Sequence, residues 1–270
     1  MKRKHILSEK LPLLSMLLAF FVSMIVMTLS TQLSSSELVG NYLMSITGLL
    51  LLLIQMWWFS PAYKGALKAE VPAKEIWKLS IPFLVNCLLS YILTVVDSGW
   101  YFAPTAMSLS MAFSAGFFEE TFVRGVTIPI GMRYLKSKNK ILITVLFTSL
   151  IFGVIHLGNI KEGARVSMAI IQAVASLGKG LFFAALFLRT GSILLPIFMH
   201  GFFDWVCFVT DPTLQNGIMM NESVTVGLIL ALLLDVAIGV VGLYMIRPAM
   251  RERIEEIWQK KWSNSSLAVK

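Results

Sequence analysis

Two adjacent carboxylates and a guanidinium stand in an otherwise apolar part of the chain, in the segment SAGFFEETFVRG. Glu120 and Arg124 are four residues apart, so they lie on one helical face and can form an ion pair. Glu119 points about 100° away from Glu120 on a regular α-helix. This geometry predicts that Glu120 and Arg124 hold the helix, while Glu119 has no local partner and is suited to proton transfer. The alternative is a structural network of all three side chains.

Two further apolar segments contain imidazoles. FGVIH places His156 four residues after Phe152, and HGFFD places Asp204 four residues after His200. His200 and Asp204 therefore share a helical face, where a local hydrogen bond between them is the simplest interpretation. His156, taken alone, is most simply a hydrogen-bonding packing residue.

Taken together, these residues are the groups that activation of water requires. A carboxylate removes a proton from water, and imidazoles with polar side chains stabilise the developing oxyanion. The same set, Glu119, His156, His200 and Asp204, could also bind a divalent metal such as zinc and leave one position open for water. The chain contains no His-Glu-x-x-His sequence, which excludes a zincin-type site.

The elements that must position these residues are membrane-spanning helices. The chain of 270 residues is 57% hydrophobic and 14% charged, with a mean hydropathy of +0.77. Apolar runs of about 18 residues or more are long enough to cross a bilayer. We predict an all-α fold, a polytopic transmembrane helix bundle of about eight spans. The predicted spans are residues 11–33, 39–60, 77–97, 104–132, 140–157, 166–188, 192–210 and 224–246.

The basic residues predict the orientation of this bundle. With the N-terminus inside, most lysines and arginines fall in inner segments, and the outer loops contain only Lys161 and Arg165. Such a bias is typical of cytoplasmic loops and indicates an N-in, C-in topology. It also accounts for the net charge of +8, so we expect no nucleic-acid partner.

The chain divides into three predicted parts. Residues 1–103 form the first three spans, residues 104–210 form a catalytic helical core, and residues 211–270 form the last span and a cytoplasmic interfacial tail. The tail sequence RPAMRERIEEIWQKKW predicts a helix that lies on the membrane surface, anchored by Trp258 and Trp262. A solvated charged tail is the alternative.

Two other charged residues, Lys179 and Asp235, lie within predicted spans. Charged groups in a span normally face the bundle interior and pair. We interpret both as structural: Lys179 would snorkel or pair with a site carboxylate, and Asp235 would pair with a neighbouring helix.

The three motif segments, in this order and each in its own predicted span, resemble the CAAX protease and bacteriocin-processing family of intramembrane endopeptidases. That family has the motifs Glu-Glu-x-x-x-Arg, Phe-x-x-x-His and His-x-x-x-Asn or Asp. They stand here as EETFVR at 119–124, FGVIH at 152–156 and HGFFD at 200–204. The segment RTGSILLPIFMH at 189–200 is similar to the usual lead-in to the third motif. The resemblance covers residues 118–209.

The resemblance implies that Glu119 is the general base on water and that His156 helps to position it. It implies that His200 and Asp204 polarise the scissile carbonyl group. The prenyl-protein enzymes of the family have Asn where this chain has Asp204. An ionised carboxylate donates no hydrogen bond, so Asp204 would stabilise an oxyanion only when it is protonated or binds a metal.

The same resemblance implies that Glu120 and Arg124 hold the site. It leaves the metal open, because a metal-free glutamate mechanism explains the same residues as a zinc mechanism.

The implied function is hydrolysis of a peptide bond within the membrane. The partners would be the lipid bilayer and a membrane-associated or secreted peptide, processed in peptide maturation, bacteriocin self-immunity or CAAX-type proteolysis. The implied location is a bacterial cell membrane, which the protein would cross several times. Two other functions stay open: a non-enzymatic membrane scaffold or immunity protein, and a proton-coupled transporter.

Overall fold

All regular elements in the described residues, 6–59, 67–211 and 223–263 of this computed structural model, are helical. The helices are α1 Ile6–Lys10, α2 Pro12–Thr31, α3 Glu37–Phe59, α4 Ala73–Ser98, α5 Ala106–Phe113, a π-helix Ser114–Glu119, α6 Glu120–Tyr134, α7 Lys140–Ile155, α8 Val166–Thr190, α9 Leu194–Thr210, α10 Val226–Met245 and α11 Arg251–Ser263. Short 3₁₀ turns follow α7 and precede α11, at His156–Ile160 and Pro248–Met250. The prediction of an all-α fold is confirmed.

Six helices in these ranges, α2, α3, α4, α7, α8 and α10, are long and apolar enough to cross a membrane. Helix α9 is also apolar but has only 17 residues. The protein is therefore a multi-pass helical membrane protein, as predicted. The count of eight spans and the N-in, C-in topology stay predictions.

The predicted span 104–132 is helical from Ala106 onward, but it is not a regular α-helix along its whole length. The segment is divided into α5, the π-helix and α6, and the wide π turn ends at Glu119. A π turn closes its hydrogen bonds one residue later than an α turn and is often found at functional sites. It packs against α9 so closely that a Cβ added at Gly116 would lie 2.5 Å from the carbonyl oxygen of Ile197. This tertiary contact accompanies the departure from the regular helical repeat.

Helix α6 lies at the centre of the bundle. Every residue from Glu120 to Met132 is buried, and α6 packs against α2 and α7. Phe122 of α6 contacts Phe20 of α2 with a ring-centroid distance of 5.3 Å. A helix that carries charges can lie at membrane depth only when neighbouring helices shield it from lipid, and here they do.

Helix α8 packs against several other helices of the bundle. A Cβ added at Gly178 would lie 2.1 Å from the backbone oxygen of Asp235, and one at Gly239 of α10 would lie 2.9 Å from the Cα of Gly178. Small residues that let two backbones approach are typical of membrane helix interfaces. On another face of α8, Phe183 contacts Phe83 of α4 at 5.0 Å between ring centroids.

The C-terminal helix α11 packs against the bundle. The indole nitrogen of Trp258 donates a hydrogen bond to the backbone oxygen of Leu188 at 3.2 Å. Its buried ring contacts Phe187 with a centroid distance of 5.3 Å. The prediction that Trp258 anchors the tail in lipid was therefore wrong, because its partners are protein groups of α8. The side chain of Trp262 lies outside the described residues.

Candidate active site

The ion pair predicted within the first motif is present and buried. Arg124 Nη1 donates to Glu120 Oε1 at 2.7 Å, and both side chains are 0% exposed. The ring of Phe152 on α7 covers the guanidinium, with 4.1 Å between Cζ and the ring centroid. A desolvated cation is attracted to the negative face of an aromatic ring. Phe152, the first residue of the second motif, therefore contacts the ion pair of the first motif.

His200 joins the third motif to the first. Its Nδ1 lies 2.8 Å from Glu120 Oε1. Because Glu120 beside Arg124 is an acceptor, Nδ1 must be the donor in this bond. The other ring nitrogen, Nε2, lies 3.9 Å from Glu119 Oε2 and 3.4 Å from Asp204 Oδ2. One imidazole therefore stands between a buried carboxylate and two carboxylates nearer the surface.

Aromatic rings hold the plane of this imidazole. Phe183 of α8 stacks on His200 with a centroid distance of 5.2 Å, and Phe152 meets it edge-on at 5.7 Å. A ring packed on two sides has little freedom to rotate, so the directions of both nitrogens are fixed. Sequence reasoning missed Phe183, because it lies outside the three motifs and is one of several aromatic residues in α8.

His156 lies where α7 gives way to the 3₁₀ turn. Its ring meets Phe152 edge-on at a centroid distance of 5.1 Å. Its Nε2 is buried and has no hydrogen-bond partner among the described residues. No hydrogen bond or ion pair joins His156 to Glu119 in this part of the chain, so its positioning of Glu119 stays a prediction. The contact that brings His156 to the other motifs is Phe152.

Exposure separates the two adjacent acids of the first motif. The side chain of Glu119 is 24% exposed and that of Asp204 is 22% exposed, whereas Glu120 is fully buried. An exposed carboxylate can meet water or a peptide, and a buried one bonded to Arg124 cannot. This difference in exposure agrees with the prediction that Glu119 reacts and Glu120 supports it.

The predicted metal ligands do not form a ligand set in this arrangement. Among the described residues, no three His, Cys, Asp or Glu side chains are grouped in a way that could hold a metal ion. Nδ1 of His200 is already hydrogen-bonded to Glu120, so Nε2 is the nitrogen of that ring that could bind a metal. A divalent metal at this site therefore stays a prediction.

Residues 101–206 match the family model described as type II CAAX prenyl endopeptidase Rce1-like. The matched range contains all three motifs and extends from the segment before α5 into α9. Searches of curated proteins and of solved structures found no significant match. The family match confirms the resemblance carried by the motifs. The similarity to this family is shown for residues 101–206, the part of the chain that contains the three motifs.

Proposed function

We propose that the chain is an intramembrane endopeptidase that hydrolyses a peptide bond of a membrane-associated or secreted peptide by activating water. One observation carries the proposal: His200 is fixed between Glu120 on one nitrogen and the pair Glu119 and Asp204 on the other. The family match supports a hydrolase of peptide bonds. Peptide maturation, bacteriocin self-immunity and CAAX-type proteolysis in a bacterial cell membrane would all use this chemistry.

In the proposed reaction, Glu119 accepts a proton from water, and the water oxygen forms a bond to the scissile carbonyl carbon. Negative charge moves to the carbonyl oxygen, where Nε2–H of His200 donates a hydrogen bond. The protonated Glu119 then gives its proton to the amide nitrogen as the C–N bond breaks. A carboxylic acid and an amine leave, and Glu119 is again a carboxylate.

Asp204 is proposed to act on His200 and not on the oxyanion itself. Its Oδ2 lies 3.4 Å from Nε2, where it can accept a hydrogen bond from a protonated imidazole. As the oxyanion forms, it replaces Asp204 as the acceptor of the Nε2–H hydrogen bond, while the imidazole keeps its orientation. This role needs no hydrogen-bond donor at position 204, so it accommodates Asp in place of Asn.

Cleavage by the purified protein is the direct test of this function, and His156→Ala is the first variant. The probes are unmodified and prenylated membrane-anchored peptides in proteoliposomes, with products identified by mass spectrometry. His156 has an unused nitrogen beside the site, so we expect kcat to fall about 10²-fold or more. The edge-on contact of His156 with Phe152 is lost as well, and such an aromatic contact is worth about 1 kcal/mol of stability.

The matched control is Glu162→Gln, an exposed residue in the loop that follows the 3₁₀ turn. It should leave both kcat and the unfolding temperature unchanged. Unchanged cleavage by His156→Ala would remove His156 from the mechanism, and a wild-type protein that cuts no probe would argue against the proposed function. Elemental analysis of the active wild-type preparation tests the predicted zinc.

The spacing between the π-helix and α9 provides a second prediction. A Cβ added at Gly116 would lie 3.0 Å from the backbone nitrogen of Gly201, besides its clash with Ile197. Gly116→Ala should therefore push α9 away from Glu119 and lower kcat about 10- to 100-fold. The control is Gly158→Ala, because nothing lies within 4 Å of its added Cβ. Equal kcat values for the two variants would show that this helix spacing does not limit the reaction.

A further inference from the structure

A largely buried ion pair outside the motifs links three helices. Lys179 Nζ of α8 lies 3.0 Å from Asp235 Oδ2 of α10, and the two side chains are 14% and 8% exposed. Asn86 of α4 donates through Nδ2 to Asp235 Oδ1 at 3.5 Å. Of the partners expected for Lys179, the structure gives Asp235 and not a carboxylate of the motifs.

Lys179 also contacts the helix that carries the third motif. Its Nζ lies 4.2 Å from the ring centroid of Phe203, the residue directly before Asp204. One turn further along α8, Phe183 stacks on His200. Residues four apart lie on one helical face, so α8 contacts α9 at two heights on one side. These two contacts therefore both constrain the rotation and the height of α9.

The contact between α8 and α10 does not by itself account for a cation at position 179. Close backbone packing at Gly178 and Gly239 already holds these two helices together. A buried ion pair is often no more stabilising than an apolar pair of the same volume. A cation at this position does something that an apolar residue cannot, because it is attracted to the face of the Phe203 ring. Asp235 keeps the ammonium group in that place.

We propose that Lys179 is a positioning residue for the hydrolytic reaction. Held by Asp235, it fixes α9 through Phe203, and it thereby sets how far His200 Nε2 and Asp204 lie from Glu119. In the described part of the chain, Lys179 makes no hydrogen bond or ion pair with a motif residue, so we assign its effect to its contact with α9. The inference rests on the proposed endopeptidase function.

Three variants separate positioning from a merely structural role. Lys179→Arg keeps a cation that can lie over Phe203. The double variant Lys179→Met with Asp235→Asn removes both charges. The exchange Lys179→Asp with Asp235→Lys keeps an ion pair between α8 and α10 but takes the cation off the Phe203 ring.

We expect the exchange variant and the uncharged double variant to lower kcat about 10- to 100-fold while KM stays near the wild-type value. Lys179→Arg should keep kcat within about threefold of wild type, because it retains the cation–π contact. If the ion pair were only structural, the exchange variant would recover wild-type kcat. That recovery would overturn the proposal.

A second measurement needs no catalysis. Cys207 of α9 is half-buried, and Cys87 is buried, so the rate of Cys207 alkylation by N-ethylmaleimide in a Cys87→Ser background reports the packing of α9. The rate should change in the exchange variant and stay at the wild-type value in Lys179→Arg. Identical rates in all variants would overturn the positioning of α9 by Lys179. A wild-type protein that cuts no probe peptide would instead count against the endopeptidase function, and the alkylation rates would still decide this inference.

Discussion

Replacing Glu119 by glutamine is expected to lower kcat of peptide cleavage about 10²- to 10⁴-fold, the range for removal of a general base. The amide has nearly the same shape as the carboxylate but cannot accept the proton of water. The side chain is partly exposed, and its Oε2 lies 3.9 Å from the nearest imidazole nitrogen. The unfolding temperature should therefore change little. Steady-state kinetics and thermal unfolding in detergent measure the two effects separately.

Glu162→Gln is again the matched control, since it makes the same chemical change in an exposed loop. Wild-type kcat in Glu119→Gln would contradict the role of Glu119 as the base. If Glu119→Gln also complemented a deletion strain fully, a non-enzymatic scaffold or immunity protein would become the better interpretation.

Replacing Glu120 by glutamine is expected to reduce stability and activity together. Removing one partner of a buried ion pair leaves the other charge uncompensated, at a cost of about 3–5 kcal/mol. Arg124 is that charge, and it is fully buried. His200 also loses the carboxylate that accepts its Nδ1–H. We expect a clearly lower unfolding temperature and cleavage too slow to detect, measured on one preparation.

A double variant distinguishes the two roles of Glu120. Adding Arg124→Met to Glu120→Gln removes the uncompensated charge, so much of the lost stability should return. Cleavage should not return, because His200 still lacks its carboxylate partner. Recovery of kcat in the double variant would mean that Glu120 serves the helix and has no part in orienting the imidazole.

Contacts within one helix could be predicted from residue spacing alone. The ion pair of Glu120 with Arg124 and the approach of His200 to Asp204 each join residues four apart, and both are present. The helical repeat fixes such neighbours whatever surrounds the helix. Composition was likewise sufficient for the all-α membrane class, because long apolar runs have few other stable conformations in a bilayer.

Contacts between helices could not be predicted in this way. The bond from His200 to Glu120 joins residues 80 positions apart, and it depends on the rotation of α9 against the π-helix. That rotation follows from a close backbone approach at Gly116 and from packing against Phe183. Ridge-and-groove packing of whole helix surfaces determines such geometry, and no local pattern encodes it. The π turn before Glu120 could not be predicted from the sequence either, because it also accompanies a contact between helices.

The ion pair inside α6 has a consequence for the synthesis of the protein. A single Arg, Lys or Asp at the centre of a span costs about 2.5–3.5 kcal/mol on insertion. Glu120 and Arg124 are one turn apart in the same helix, so they can neutralise each other before later helices have left the ribosome. His200 follows 80 residues later, and its bond to Glu120 can form only after α9 has emerged. The two charges of this pair can therefore pass through the translocon already neutralised, and the bond that joins the first motif to the third forms late, once α9 has emerged.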